Sequence, residues 1–200
     1  MTSLFSRQRQ FITLKFLNRG NDEAGAVPGS ADGQTECFMV DSMAAFERIA
    51  KDIGTSFRDS AEDLRGRVAA GCVLCIARRP RRRGPGMEII GYEIAERGVF
   101  SALGRRTPVA DDVIFSHYVE VLPECRGQRI HRLLFSTRDA WFGQRGGRVV
   151  CGVCEPQNQA SLRALRRDGA VVVGTVERVA LLRVFVMSYT PFDRIAELLY

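Results

Sequence analysis

The residues with the most chemistry to offer lie in one stretch, VIFSHYVEVLPECRGQRIHR, over 113–132. His117 is one of only two histidines in the chain, and an imidazole with an ordinary pKa of about 6.5 can take up a proton at neutral pH. With the stretch up to Leu122 read as a strand, alternation places His117 on one face with Phe115, Val119 and Val121. It turns Glu120, the other proton acceptor of the run, to the opposite face unless a bulge intervenes. The second half of the stretch suits an anion. A loop feeding a helix N-terminus points unpaired N–H groups outward and adds the positive end of the helix dipole. Gly127 permits close backbone approach there, and Arg126, Arg129 and Arg132 supply charge. Such a terminus fits a pyrophosphate.

Six cysteines form the other conspicuous set: Cys37, Cys72, Cys75, Cys125, Cys151 and Cys154. Two C-x-x-C pairs among them have the spacing of zinc ligands. Each pair, however, falls in a run that reads as a buried strand, GCVLCIA and VVCGVC. Residues i and i+3 of a strand point to opposite faces, so the two thiols of a pair cannot turn toward one ion. The expectation is small buried hydrophobes and no metal.

These residues must be positioned by a chain of 200 residues, 46% hydrophobic and 26% charged. That length buries about 70% of the surface an unfolded chain exposes and supports a core without disulfides. The composition excludes a collagen-like or disordered chain. No apolar run approaches the roughly 20 residues a bilayer demands, and the N-terminus lacks the pattern of a signal peptide, so the expected compartment is the cytoplasm. Basic residues outnumber acidic ones 29 to 23, nearly all of them arginine, which favours anionic partners. The run Arg78, Arg79, Arg81, Arg82 and Arg83 falls in an expected hairpin loop with no interleaved aromatic residues, and nucleic acid is not the expected partner.

Residues 1–35 read as an N-terminal extension and glycine-rich flexible linker, with an edge strand at Phe11–Leu17, and residues 36–200 as one domain. Within it the pattern predicts a strand at Phe38–Val40 and a helix from an Asp41 or Ser42 cap to about Ile53. A helix over 60–70 follows, then strands at 71–78 and 88–97. A glycine- and arginine-containing connection over 98–111 leads to a strand at 112–122. Next come a helix at 128–144, a strand at 148–154, a helix at 157–168, strands at 170–176 and 178–188, and a short helix after Pro191. The order implies a mixed, mostly antiparallel sheet of six to seven strands with helices on both faces.

The segments VEVLPECRGQRIHRLLFSTRDAW and RVVCGVCEPQNQASLRALRRDGAVVVG resemble those that mark the GNAT superfamily of acyl-CoA-dependent N-acyltransferases. Val121-Leu122-Pro123, Arg126-Gly127, Asn158, Ser161 and Gly169 fall in register with the family pattern. The resemblance implies an α/β fold of the GNAT type and acetyl-CoA or another acyl-CoA as the donor. The pyrophosphate would lie on Arg126, Gly127, Gln128, Arg129, Ile130 and His131. The pantetheine arm would pair with backbone of Val119 and Val121, whose N–H groups serve a developing oxyanion, and with Asn158 and Ser161, Asn158 being equally suited to cap the helix start. His117 occupies a place where some members keep a catalytic histidine, with Glu120 as the second candidate base. The chain departs from the pattern at Arg129 and His131, where small residues are usual, and at Leu165, where many members have a tyrosine. The implied activity is acyl transfer to a small-molecule or protein amine. The alternative is a non-catalytic module that binds acyl-CoA or an anionic polymer. A homodimer is left open.

Overall fold

Short-range signals and strand pairing together account for the elements of this computed structural model, which describes residues 5–17, 33–82, 84–181 and 184–190. Ten strands and four α-helices are described: β1 (Phe5–Phe16), β2 (Glu36–Val40), α1 (Met43–Ile49), α2 (Ala61–Ala69), β3 (Val73–Pro80), β4 (Met87–Arg97), β5 (Val99–Ala102), β6 (Arg105–Pro108), β7 (Val113–Val121), α3 (Ile130–Gly143), β8 (Val149–Cys154), α4 (Gln159–Arg167), β9 (Val171–Leu181) and β10 (Val184–Thr190). They fall into two compact units. One comprises Met1–Leu17, Arg97–Phe115 and Gly147–Tyr200, the other Asn18–Glu96 and Ser116–Gly146.

The first unit is built on β1. Its pairing is antiparallel with β8 on one side, Leu14 opposite Cys151, and with β9 on the other, Phe11 opposite Thr175. β10 continues the sheet beyond β9. The sequence places an edge strand here, and the structure corrects that: β1 is longer and has neighbours on both sides. The inward residues Ile12 and Leu14 are completely buried with Val113, Phe115 and Phe100. Phe100 belongs to a second feature absent from the sequence reading, the antiparallel ribbon β5–β6 within the 98–111 connection. Most of the expected linker, and the short helix expected after Pro191, lie outside the described residues.

In the second unit β2 pairs with β3 and β3 with β4, both antiparallel, and β7 lies beside β4. Helix α1 starts at Ser42, one of the two caps the sequence offers, and α2 at Ser60. The Ser42 hydroxyl accepts from the Ala45 N–H, and Ser60 and Asp63 form a reciprocal capping box. Strand alternation gives the sheet two faces. Cys75 and Glu93 stand opposite one another on β3 and β4 and meet α3, Cys75 at the Leu134 carbonyl and Glu93 at Arg138. Leu74, Ile76, Tyr92 and Ile94 belong to the opposite alternation and are buried with Phe46, Phe57, Leu64 and Val68. Helices therefore cover both faces, as expected. Burial drives the Glu93 carboxyl pKa upward, and the partly compensating contacts come from Arg138 and the Ser116 hydroxyl.

Candidate active site

The strand β7 delivers the chain to a loop and then to α3. After Val121 comes a single 3-10 turn, Pro123–Cys125, in which proline at the first position sets the required φ. Gly127 then takes φ 79° and Arg129 φ 62°. Two left-handed residues in three curl the backbone ahead of α3, and Gly127 has nothing within 4 Å of where a Cβ would stand. Arg129 is the N-cap of α3 and supplies no capping side chain. Its Cβ is tolerated in this conformation at a cost of about 1 kcal/mol or more. Arg126, Arg129 and Arg132 are all exposed. The Arg126 guanidinium donates to the Val121 carbonyl at 3.3 Å, and the Gln128 amide donates to the Glu124 carbonyl at 3.1 Å, so both side chains brace the loop. Ile130 is buried beneath it. His131 is half-buried, its ring edge toward Phe135 at 6.1 Å between centroids, and burial followed by the nearby Arg126 charge lowers its pKa.

His117 and Glu120 each reach β4, at different partners. The His117 Nε2 lies 3.0 Å from a Glu96 carboxylate oxygen. The Glu120 carboxylate accepts from the Tyr92 hydroxyl at 3.0 Å and from the Arg58 backbone N–H at 3.1 Å. Tyr92 and Glu96 share one alternation of β4, since β3 pairs regularly with residues 92 to 95. Two β7 residues three apart therefore meet the same alternation of β4, which requires the strict alternation of β7 to be interrupted between them. Glu120 is not turned away from the face that His117 uses.

Around Glu120 the structure assembles groups that spacing does not bring together. The Tyr92 hydroxyl also lies 2.8 Å from an Asp59 carboxylate oxygen, so its one hydrogen is shared between two carboxylates. Burial first, and then those two carboxylates, push the Tyr92 pKa far up, which keeps the hydroxyl a donor. Phe57 meets the Tyr92 ring edge-on at 5.2 Å, Tyr118 stands 6.2 Å away, and the Arg58 guanidinium lies 5.1 Å over Tyr118. Asp59 comes from the loop before α2, whose capping box fixes where the loop ends. Asp59, Arg58 and Glu96 escaped the sequence reading, because only strand register and the loop path bring them to β7.

The remaining site candidates are divided between α4 and β7. Asn158 and Ser161 belong to the first unit, where the Asn158 side chain caps α4 by accepting from the Ser161 N–H at 3.1 Å. Val119 and Val121 lie on β7, Val121 buried and Val119 partly so. The arginine run is largely committed. Arg78 pairs with Glu36 and covers Phe38, Arg79 pairs with Glu88, and Arg81 donates to the Met87 carbonyl, while Arg83 lies outside the described residues. Among the described residues no helix is long and apolar enough to cross a membrane.

This structure is similar to a GCN5-related N-acetyltransferase from Sphaerobacter thermophilus, with TM-score 0.56 and 15% identity over 90% of this chain and 54% of that one. It is also similar to a tandem GNAT protein from the clavulanic acid biosynthesis pathway, with TM-score 0.53 and 13% identity over 91% of this chain and 53% of that one. The chain spans about half the length of either structure. No protein-family model and no curated protein matches the sequence. The fold is that of the GNAT N-acetyltransferases, as the sequence motifs imply.

Proposed function

We propose that the protein transfers an acyl group, acetyl or longer, from acyl-CoA to an amine. One observation carries the reading. The strand that contributes Glu120 to a carboxylate–tyrosine cluster leads through one 3-10 turn into a left-handed glycine–arginine loop and the side-chain-uncapped N-terminus of a 14-residue helix, among exposed arginines. The loop and helix terminus suit a pyrophosphate, and the carboxylates, Glu120 among them at the end of the preceding strand, suit an amine.

Acyl-CoA supplies a thioester carbonyl open to attack. The first-turn N–H groups of α3, with Arg126, Arg129 and Arg132, would hold the phosphates. Asp59 and Glu120 would attract an ammonium ion, and Glu120 would take the proton that frees its lone pair. Tyr92 holds Glu120 in place and remains a hydroxyl donor. The N–H groups of Val119 and Val121 would face the oxyanion, and orientation of the amine supplies much of the acceleration. His117, the first base the sequence suggests, is held by Glu96, and Glu120 lies nearer in the chain to the anion loop.

Thermal unfolding with and without acetyl-CoA and longer acyl-CoAs, alongside assays for free thiol release with a panel of amines, tests the reading. Ligand at about 100 times its dissociation constant adds roughly 2.7 kcal/mol of stability, and Arg126→Glu should remove most of that gain. Absence of any stabilisation at millimolar thioester defeats the cofactor assignment. Stabilisation without thiol release favours the binding module, a reading that Leu165 supports by leaving no hydroxyl at that place in α4. A pH–rate inflection near the ordinary histidine pKa that disappears in His117→Ala would move the base role from Glu120 to His117.

A further inference from the structure

Cys72, Glu96 and His117 come from three neighbouring segments of the second unit and meet at one point. Cys72 immediately precedes β3. Continuing the register in which Val73 faces Ala95 places Cys72 opposite Glu96. β7 lies beside β4 and brings His117 to Glu96 from the other side. The thiol sulfur, a carboxylate oxygen and a ring nitrogen all lie within 4.8 Å of one another. Cys72 and Glu96 are 4% and 7% exposed, and the His117 side chain 17%.

From this juxtaposition we propose that Cys72, Glu96 and His117 bind a zinc ion, with a fourth position left to water. Thiolate, imidazole and carboxylate together are a zinc donor set, and the thiolate disfavours magnesium and calcium. Tetrahedral zinc with bonds of about 2.0–2.3 Å needs its ligand atoms roughly 3.3–3.8 Å apart. No pair in the cluster exceeds that spacing by more than about 1 Å. Binding releases the Cys72 thiol proton to solvent and leaves the imidazole hydrogen on Nδ1, so that Nε2 can coordinate.

The site differs from the one the C-x-x-C spacing suggests. Cys75 lies on the other alternation of β3, 3.5 Å from the Cys37 sulfur and against the Leu134 carbonyl. One cysteine of the pair joins the cluster and the other faces α3. Backbone anchoring favours the site, since the Cys72 N–H donates to the Arg67 carbonyl at the end of α2 at 3.0 Å.

The experiment is metal titration of the full chain after chelator treatment. Cobalt(II) serves as the spectroscopic probe, and zinc is measured by competition with a chromophoric chelator. One equivalent of cobalt should give thiolate-to-metal absorption with the intense visible bands of tetrahedral coordination. Cys72→Ser should abolish the thiolate band, Cys75→Ser should retain it, and His117→Gln should weaken zinc binding about a hundredfold or more. Zinc should also raise the melting temperature of the unmodified chain, and not that of His117→Gln, which separates ligand loss from misfolding. No thiolate–cobalt absorption in the folded protein would overturn the proposal. So would a band that survives Cys72→Ser, or one that depends on Cys75.

Discussion

At the scale of the residue, the carboxylate–tyrosine cluster sets the sharpest expectations. Glu120→Gln keeps the shape and a hydrogen-bond acceptor but removes the basic oxygen pair. Turnover should therefore fall about a hundredfold or more, the lower range of general-base effects, with little change in acyl-CoA affinity. Steady-state kinetics with thermal shift in parallel separates the two quantities. Equal loss of both would make Glu120 a structural brace of the loop. His131 offers a different measurement. Its folded-state pKa lies below the ordinary value because burial, and then Arg126, disfavour the imidazolium. The unfolded chain therefore takes up a proton first as pH falls. The stability His131 contributes is complete above about 6.5 and is lost progressively as pH drops through the folded value. His131→Phe should flatten that part of the stability–pH curve, measured as urea midpoints on both sides of that pH. An unchanged slope would place the acid sensitivity elsewhere.

At the scale of the element, one close approach positions the site. A Cβ on Gly91 would stand 3.0 Å from the Glu120 carbonyl and 3.2 Å from side-chain carbons of both Val121 and Ile130. β4 carries glycine where β7 and the first residue of α3 press against it. Gly91→Ala should cost about 1–3 kcal/mol, as over-packing does, and weaken acyl-CoA binding through displacement of the loop. Urea unfolding and a binding titration check the two effects, and a fully stable variant would show that the contact yields. The elements differ in how legible they were. Ser42 was one of two residues that could announce a helix, and it caps α1, while Asn158, equally readable as a cofactor contact, caps α4. The ribbon β5–β6 gave no such signal, because its turn takes left-handed conformations at Leu103 and Gly104. Asparagine is the usual residue at the first of these positions, and leucine does not mark it. The turn ahead of α3 was readable from Arg126 and Gly127 because its signal is local, and Gly127 does take a left-handed conformation there. The partners of His117 and Glu120 were not, because an interrupted alternation in β7 and the register of β4 decide them.

At the scale of the whole molecule, the question is what the first residues of the chain do. Read from composition, residues 1–35 are an extension and linker, and a chain starting at residue 36 would then fold by itself. Strand β1 opposes that expectation. Its residues pair with β8 from Phe11 to Phe16 and with β9 from Phe5 to Leu14, so its removal leaves two strands of the first unit without their shared neighbour. Ile12 and Leu14 are both fully buried, and each contributes about 1.5–3 kcal/mol by leaving water. Together that is roughly 3–6 kcal/mol, before any cost of the exposed ladder, against a typical total stability of about 5–15 kcal/mol. Exposed strand edges add a route to aggregation. A chain beginning at residue 18 should therefore lose cooperative thermal unfolding, bind a hydrophobic dye and aggregate on concentration. Adding back a peptide of residues 1–17 should restore part of the transition. If the shortened chain instead melts in one sharp step at the temperature of the full chain, β1 is dispensable, and the domain begins where composition places it.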